Sequence, residues 1–174
     1  MVTRGLVVGR FQPFHLGHLN ALKEILKEVD EIIIVIGSAQ YSHRLDNPFT
    51  AGERISMIRR ALNEEGISPS QYWIIPVPDI HMHALWVSRV TSYTPSFDVV
   101  YSNSPLTCRL FKEAKFKVKS IPFYKRDLYS ATEIRQKMIK KEKWENLVPE
   151  AVALYIKEIK GVERLQELAK TDKK

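Results

Sequence analysis

The sequence predicts an α/β protein: a doubly wound parallel sheet of about five strands, with further helices at the C-terminal end. Three observations lead there. RGLVVG (4–9) and EIIIVIG (31–37) are short apolar runs bounded by glycine, the pattern of buried strands. Between them, HLNALKEILKEVD sets Leu19, Leu22, Ile25, Leu26 and Val29 at helical spacing. The same alternation then continues to the end of the chain, which argues for parallel strands joined by helical crossovers.

The later elements follow in order. The polar loop SAQYSHRLDNPF leads to TAGERISMIRRALNEEG, where Thr50 and Glu53 form a capping-box signature. YWIIPV (72–77) is the third strand, followed by a helix near 84–92. FDVVYS (97–102) is the fourth strand, a short helix spans 105–113, and FKVKSIPF holds the fifth strand. Ser130 and Glu133 make a second capping box before ATEIRQKMIKKE, read as a continuous helical pattern with a solvated lysine face. Pro149 opens a helix over 149–160, and a last helix runs near 162–170. KTDKK reads as a free tail. Trp73 and Trp144 are expected in the core.

The composition bounds the function. A chain of 174 residues suits one domain, read here as 1–174, and folding at that size buries roughly 70% of the unfolded surface. The net charge of +7 suits anionic partners without choosing among them. Cys108 is the only cysteine, which excludes an internal disulfide and points to a reducing, cytoplasmic setting. No apolar run approaches the ~18 residues of a membrane span. Neither an aromatic RNP pattern nor a GXXG loop argues for nucleic acid as a partner.

The stretch that carries chemistry is GRFQPFHLGH, Gly9 to His18. In a doubly wound sheet, ligands bind beyond the carboxyl ends of the strands, so polar residues following a strand are the candidates. Arg10 and His15 follow the first strand, Asp79 the third and Asn103 the fourth. A helix beginning near Leu16 presents unpaired N–H groups and the positive end of its dipole, which favour phosphate. His15 and His18 add imidazole donors, Gly17 leaves the backbone open to a phosphate, and Arg10 adds a planar cationic fork. A zinc pair is the competing reading of two histidines three apart, but HExxH and a cysteine ligand are both missing.

HLGH resembles the HxGH signature of the nucleotidyltransferases, and GRFQPFH is narrower: it resembles the nicotinamide-nucleotide adenylyltransferases. IGSAQ, NPFTAGER and PDIHMHALW are similar to the archaeal members, and the likeness spans roughly residues 4–165. The resemblance implies a Rossmann-like fold and transfer of AMP from ATP to nicotinamide mononucleotide (NMN), giving NAD and pyrophosphate. It implies Mg²⁺ held mainly by ATP phosphates, with no dedicated protein ligand, and a homo-oligomer, a hexamer in this family. YSATEIR (129–135) resembles the family's late phosphate motif.

On this resemblance His15, His18 and Arg10 are the catalytic set, and Gly9, Phe11, Gly17, Ser130, Thr132 and Arg135 bind ATP. Ser38, Asp79, Ile80, His83 and Trp86 line the NMN and NAD site, with Asp79 near the ring substituent and Trp86 either stacked on the pyridine ring or packed in the core. Three positions depart from the family pattern: Ala131 where glycine is common, His83 where asparagine is common, and Asp46 where some relatives carry arginine. The nucleophile is a phosphate already ionised near neutral pH, so no general base is required. Catalysis then comes from positioning and from neutralising charge as pyrophosphate leaves. The other readings are a sister adenylyltransferase acting on phosphopantetheine or FMN, and a non-catalytic nucleotide sensor.

Overall fold

The structure is a computed structural model and describes residues 1–122 and 128–170. In chain order its elements are β1 (Arg4–Gly9), α1 (Leu16–Ile25), β2 (Glu31–Ile36), α2 (Ala51–Glu64), β3 (Tyr72–Pro76), α3 (Trp86–Tyr93), β4 (Val99–Tyr101), α4 (Pro105–Glu113), β5 (Lys117–Lys119), α5 (Ala131–Ile139), α6 (Glu150–Glu158) and α7 (Gly161–Leu168). Contacts gather them into two compact units. The first comprises Met1–Gly9, Ala21–Ala39 and Ser68–Pro122; the second comprises Arg10–Asn20, Gln40–Ile67 and, of the described residues beyond, 128–170. The expected free tail lies outside the described residues from Thr171 onward.

The first unit holds the sheet. Its strand order is β3-β2-β1-β4-β5, and every pairing is parallel. The order reverses between β1 and β4, the switch point of a doubly wound sheet. β1 and β2 pair along their whole length, from Arg4 opposite Glu31 to Gly9 opposite Ile36. Strand alternation sends Leu6, Ile33, Val35 and Val100 to one face, where they form a core with Val77, Val90 of α3 and Phe111 of α4. Burying each such side chain contributes about 1.5–3 kcal/mol. Ile32 to Ile36 are all buried, so β2 reads as a continuous apolar run rather than an alternating one.

Trp73 corrects an expectation. It lies on the edge strand β3, is 44% exposed, and donates from Nε1 to Glu31 at 2.8 Å. An edge strand leaves one flank open, so an indole can stay at the surface with its N–H satisfied. Asn103, after β4, is engaged within the first unit: its amide donates to Ile121 O at 2.7 Å and accepts from Ile121 N at 3.0 Å.

The second unit contains α2, α5, α6, α7 and the loop before α1. Thr50 caps α2 in a full capping box, as the sequence predicts. Arg60 of α2 reaches Glu158 of α6 at 2.8 Å and lies over the Tyr155 ring. Gln166 of α7 donates to Met138 O of α5. Trp144 is core, at 4% exposure. The helix predicted over ATEIRQKMIKKE stops earlier than expected, at Ile139. Lys141 turns into the left-handed region, and Glu142 N bonds back to Lys137 O, which closes the helix end. Lys140, Lys141 and Lys143 remain solvated. Among the described residues, no helix is long and apolar enough to cross a membrane.

Candidate active site

In the second unit, the loop Arg10–His15 follows β1 in the chain and opens α1. The two histidines of HLGH face each other, with ring centroids 3.6 Å apart and planes inclined by 22°. Each Nδ1 accepts the backbone N–H of the other residue: His15 N donates to His18 Nδ1 at 3.1 Å, and His18 N to His15 Nδ1 at 3.3 Å. A nitrogen that accepts cannot carry a proton. The neutral ring must therefore hold its proton on Nε2, leaving both Nε2–H groups as donors. Electrostatics agree. Burial lowers His15 to a pKa of about 4, and burial with the neighbouring His15 holds His18 well below 6.5. Phe11 sits edge-on to His18 at 4.8 Å, Phe14 stacks on it at 5.5 Å, and Tyr129 lies over His15.

Gly17 has a role other than the one the sequence suggests. A Cβ there would meet His15 Cε1 at 2.9 Å and Tyr129 Cβ at 3.0 Å. The glycine makes room for the His15 imidazole, whereas the sequence suggests that the space is left for a phosphate.

Arg135, on α5, is buried, and its Nη1 donates to Gln12 O at 2.8 Å, with Nη2 at 3.3 Å from Thr132 Oγ1. Burial, then the like charge of Arg10, lowers its pKa, while Asp46 opposes them. Ser130 caps α5, accepting from Glu133 N. Ala131 is the first residue of that helix and needs no positive φ, so alanine fits where the family commonly has glycine. Asp46 pairs with Arg44 at 3.3 Å on an exposed turn, and Arg44 also lies over Tyr41. The structure thus brings His15, His18, Phe11, Gly17, Thr132 and Arg135 into one unit with Arg10, whose side chain is exposed.

Sequence reasoning missed two residues here. Gln12 is 1% exposed and bonds the backbone of Phe49 twice. Arg54 is fully buried in α2 and donates to Arg10 O at 3.0 Å, Thr50 O at 3.2 Å and Tyr41 O at 3.4 Å. A signal existed for Arg54: it shares the helical stripe of Met57, Ile58, Ala61 and Leu62, where a charge must find partners.

In the first unit, Gly9 ends β1 and its carbonyl accepts Gly37 N at 2.9 Å. Ser38 follows β2 with φ +49, an unusual backbone for a non-glycine residue. It is held there by Asp79, whose two carboxylate oxygens accept from Ser38 N at 3.1 Å and Ser38 Oγ at 2.7 Å. Asp79 therefore braces the turn after β2. Ile80 is half-buried and His83 exposed in the segment before α3. Trp86 opens α3 half-buried and packs against the core of Leu6, Val90 and Phe111.

Among the described residues, no three His, Cys, Asp or Glu side chains come together to hold a metal ion. The groups gathered in the second unit are N–H donors, which suit an anion or the phosphates of a metal–nucleotide complex.

Comparisons with known proteins show the family. The cytidylyltransferase-like family matches residues 6–137. The nicotinamide-nucleotide adenylyltransferase of Pyrococcus furiosus is 55% identical over 97% of this chain and 90% of its own. That of Saccharolobus solfataricus is 52% identical over 99% of this chain and all of its own. Among solved structures, a bifunctional NMN adenylyltransferase/ADP ribose pyrophosphatase from Francisella tularensis, complexed with AMP and a manganese ion, superposes with a TM-score of 0.78 at 26% identity. It covers 97% of this chain, which spans about half (52%) of that longer protein. A parallel sheet of order 3-2-1-4-5, an HxGH pair fixed as donors and full-length identity above one half converge: the chain belongs to the nicotinamide-nucleotide adenylyltransferases of the cytidylyltransferase-like family, nucleotidyltransferases that form NAD from ATP and NMN.

Proposed function

We propose that NMN phosphate attacks the α-phosphorus of ATP directly and in line, with no covalent enzyme intermediate. The observation that carries this reading is the reciprocal capping of His15 and His18. Both rings act as neutral Nε2–H donors, which suits them to hold phosphate oxygens and to offset the charge that grows as pyrophosphate leaves. Neither imidazole is poised as a nucleophile or a base. His18 serves the reacting phosphorus and His15 the outer phosphates. Arg10 and Arg135 clamp the triphosphate as permanent cations. Gly9, Phe11, Gly17, Ser130 and Thr132 complete the ATP side by shaping the loop and the start of α5.

The acceptor side is assigned to Ser38, Asp79, Ile80, His83 and Trp86. With both oxygens engaged by Ser38, Asp79 acts mainly by shaping the turn, and the segment 80–86 meets the nicotinamide ring. Mg²⁺ bound on the ATP phosphates would supply charge neutralisation there, while the donors of this chain bind phosphate oxygens. The chain works as one nucleotidyltransferase domain over 1–174, in the cytoplasm, as a homo-oligomer for which a hexamer is the expected mass by light scattering.

Stereochemistry tests the mechanism. With ATP made chiral by sulfur at the α-phosphorus, one in-line displacement inverts the configuration in the product. Retention would mean two displacements and a covalent intermediate. Pyrophosphate release with NMN, compared with phosphopantetheine and FMN as acceptors, tests the substrate assignment.

A further inference from the structure

We infer that Gln12 is a positioning residue for adenylyl transfer: it locks the backbone carbonyl that aims Arg135, without itself touching substrate. The inference rests on the phosphate-clamping role proposed above for Arg135.

The side chain of Gln12 is 1% exposed, so no ligand reaches it. Its amide forms a closed pair with one residue: Nε2 donates to Phe49 O at 2.9 Å and Oε1 accepts from Phe49 N at 2.9 Å. Only a side chain with a donor and an acceptor on one planar end can make that pair, and leaving either buried group unmatched is costly. The carbonyl of the same residue accepts Arg135 Nη1 at 2.8 Å, the shorter of the bonds described for that guanidinium. Gln12 thus joins two jobs: its side chain fixes the loop, and its backbone fixes a cation 123 residues away.

The anchor it grips is itself rigid. Phe49 is fully buried, and its ring fills the space beside Gly161, where a Cβ would come within 2.7 Å. Pro48 O accepts from Arg164 Nη1 at 2.9 Å, and Arg164 forms two 2.7 Å bonds to Glu53 at the start of α2. The N-terminal end of α2 and helix α7 therefore hold Phe49, Phe49 holds Gln12, and Gln12 aims Arg135. A contiguous chain of this kind is a route for coupling only if the coupling is measured.

The test is a double-mutant cycle on ATP affinity, read by calorimetry on the full chain. In Gln12→Glu one carboxylate oxygen still accepts from Phe49 N, but the other confronts Phe49 O unless it is protonated. Burial raises the pKa of the introduced carboxyl, so mildly acidic pH restores the amide-like pattern and higher pH breaks it. We expect Gln12→Glu to weaken ATP binding roughly tenfold above neutral pH, the size of one charge-assisted hydrogen bond. In an Arg135→Ala background the same change should cost less than about twofold, because the cation it aims is gone. KM for NMN should stay unchanged, which a general loosening of the fold would not allow. Gln12→Asn, one methylene shorter with the same polar groups, runs through the same cycle as the milder variant. Equal losses in both backgrounds, or unchanged ATP affinity in a folded Gln12 variant, would overturn the inference while leaving the Arg135 reading intact. Unchanged ATP affinity in Arg135→Ala alone would overturn that reading and this inference with it.

Discussion

At the scale of single residues, the histidine pair makes two predictions. His18 has separable tasks on the function proposed above: its Nδ1 caps His15 N, and its Nε2–H is assigned to phosphate. His18→Asn can keep the cap through its amide oxygen while losing the donor. It should retain the melting temperature and lose kcat by on the order of 10²–10³, the usual effect of deleting one transition-state donor. Near wild-type kcat at saturating ATP would end the assignment. The second prediction concerns pH. Burial holds His15 to about 4, against 6.5 in the unfolded chain. Between those values the unfolded state binds more protons, so stability is full above about 6.5 and falls as pH drops toward 4. Protonation also removes the Nδ1 acceptor and breaks the cap. The His15 ring-proton shifts followed by NMR should therefore hold level through pH 6.5 and move only as pH approaches 4, and a titration already complete through 6.5 would show an ordinary imidazole.

At the scale of elements, α3 is the test. Trp86 packs against the core of the first unit and is also the residue assigned to the pyridine ring. Trp86→Ala should lower the melting temperature, since truncating even part of a packed indole removes apolar contact. It should also raise KM for NMN by roughly ten- to a hundredfold, by analogy with the ~1–3 kcal/mol of base stacking on an aromatic side chain, while KM for ATP moves little. Trp86→Phe should recover much of both. Equal damage to the two KM values would reduce Trp86 to a core residue. Helix boundaries also mark where reading the sequence succeeds. Thr50, Ser130 and Pro149 announce the starts of α2, α5 and α6, because capping chemistry is local. The end of α5 carried no such signal: its stop depends on Lys141 adopting φ +59, a cost that the burial of Trp144 just beyond helps to offset.

For the whole molecule, the charge of +7 and exposed Arg10 imply that capture of anionic substrates weakens with salt. KM for ATP should rise with ionic strength, most steeply where the screening length shrinks below about 10 Å, and the dependence should flatten in Arg10→Ala. A KM insensitive to salt would mean that only buried contacts matter. The sequence by itself determined the order and type of the elements, the five-strand parallel class and the HxGH and late serine–threonine–arginine motifs. Those depend on period and on local capping, which neighbours in the chain decide. It could not decide that Trp73 is at an edge, that Gly17 yields its space to His15, that Asp79 binds Ser38, or that Gln12 grips Phe49 and thereby aims Arg135. Each of these depends on which atoms distant in sequence come within hydrogen-bond or van der Waals distance, and only the tertiary structure sets those distances.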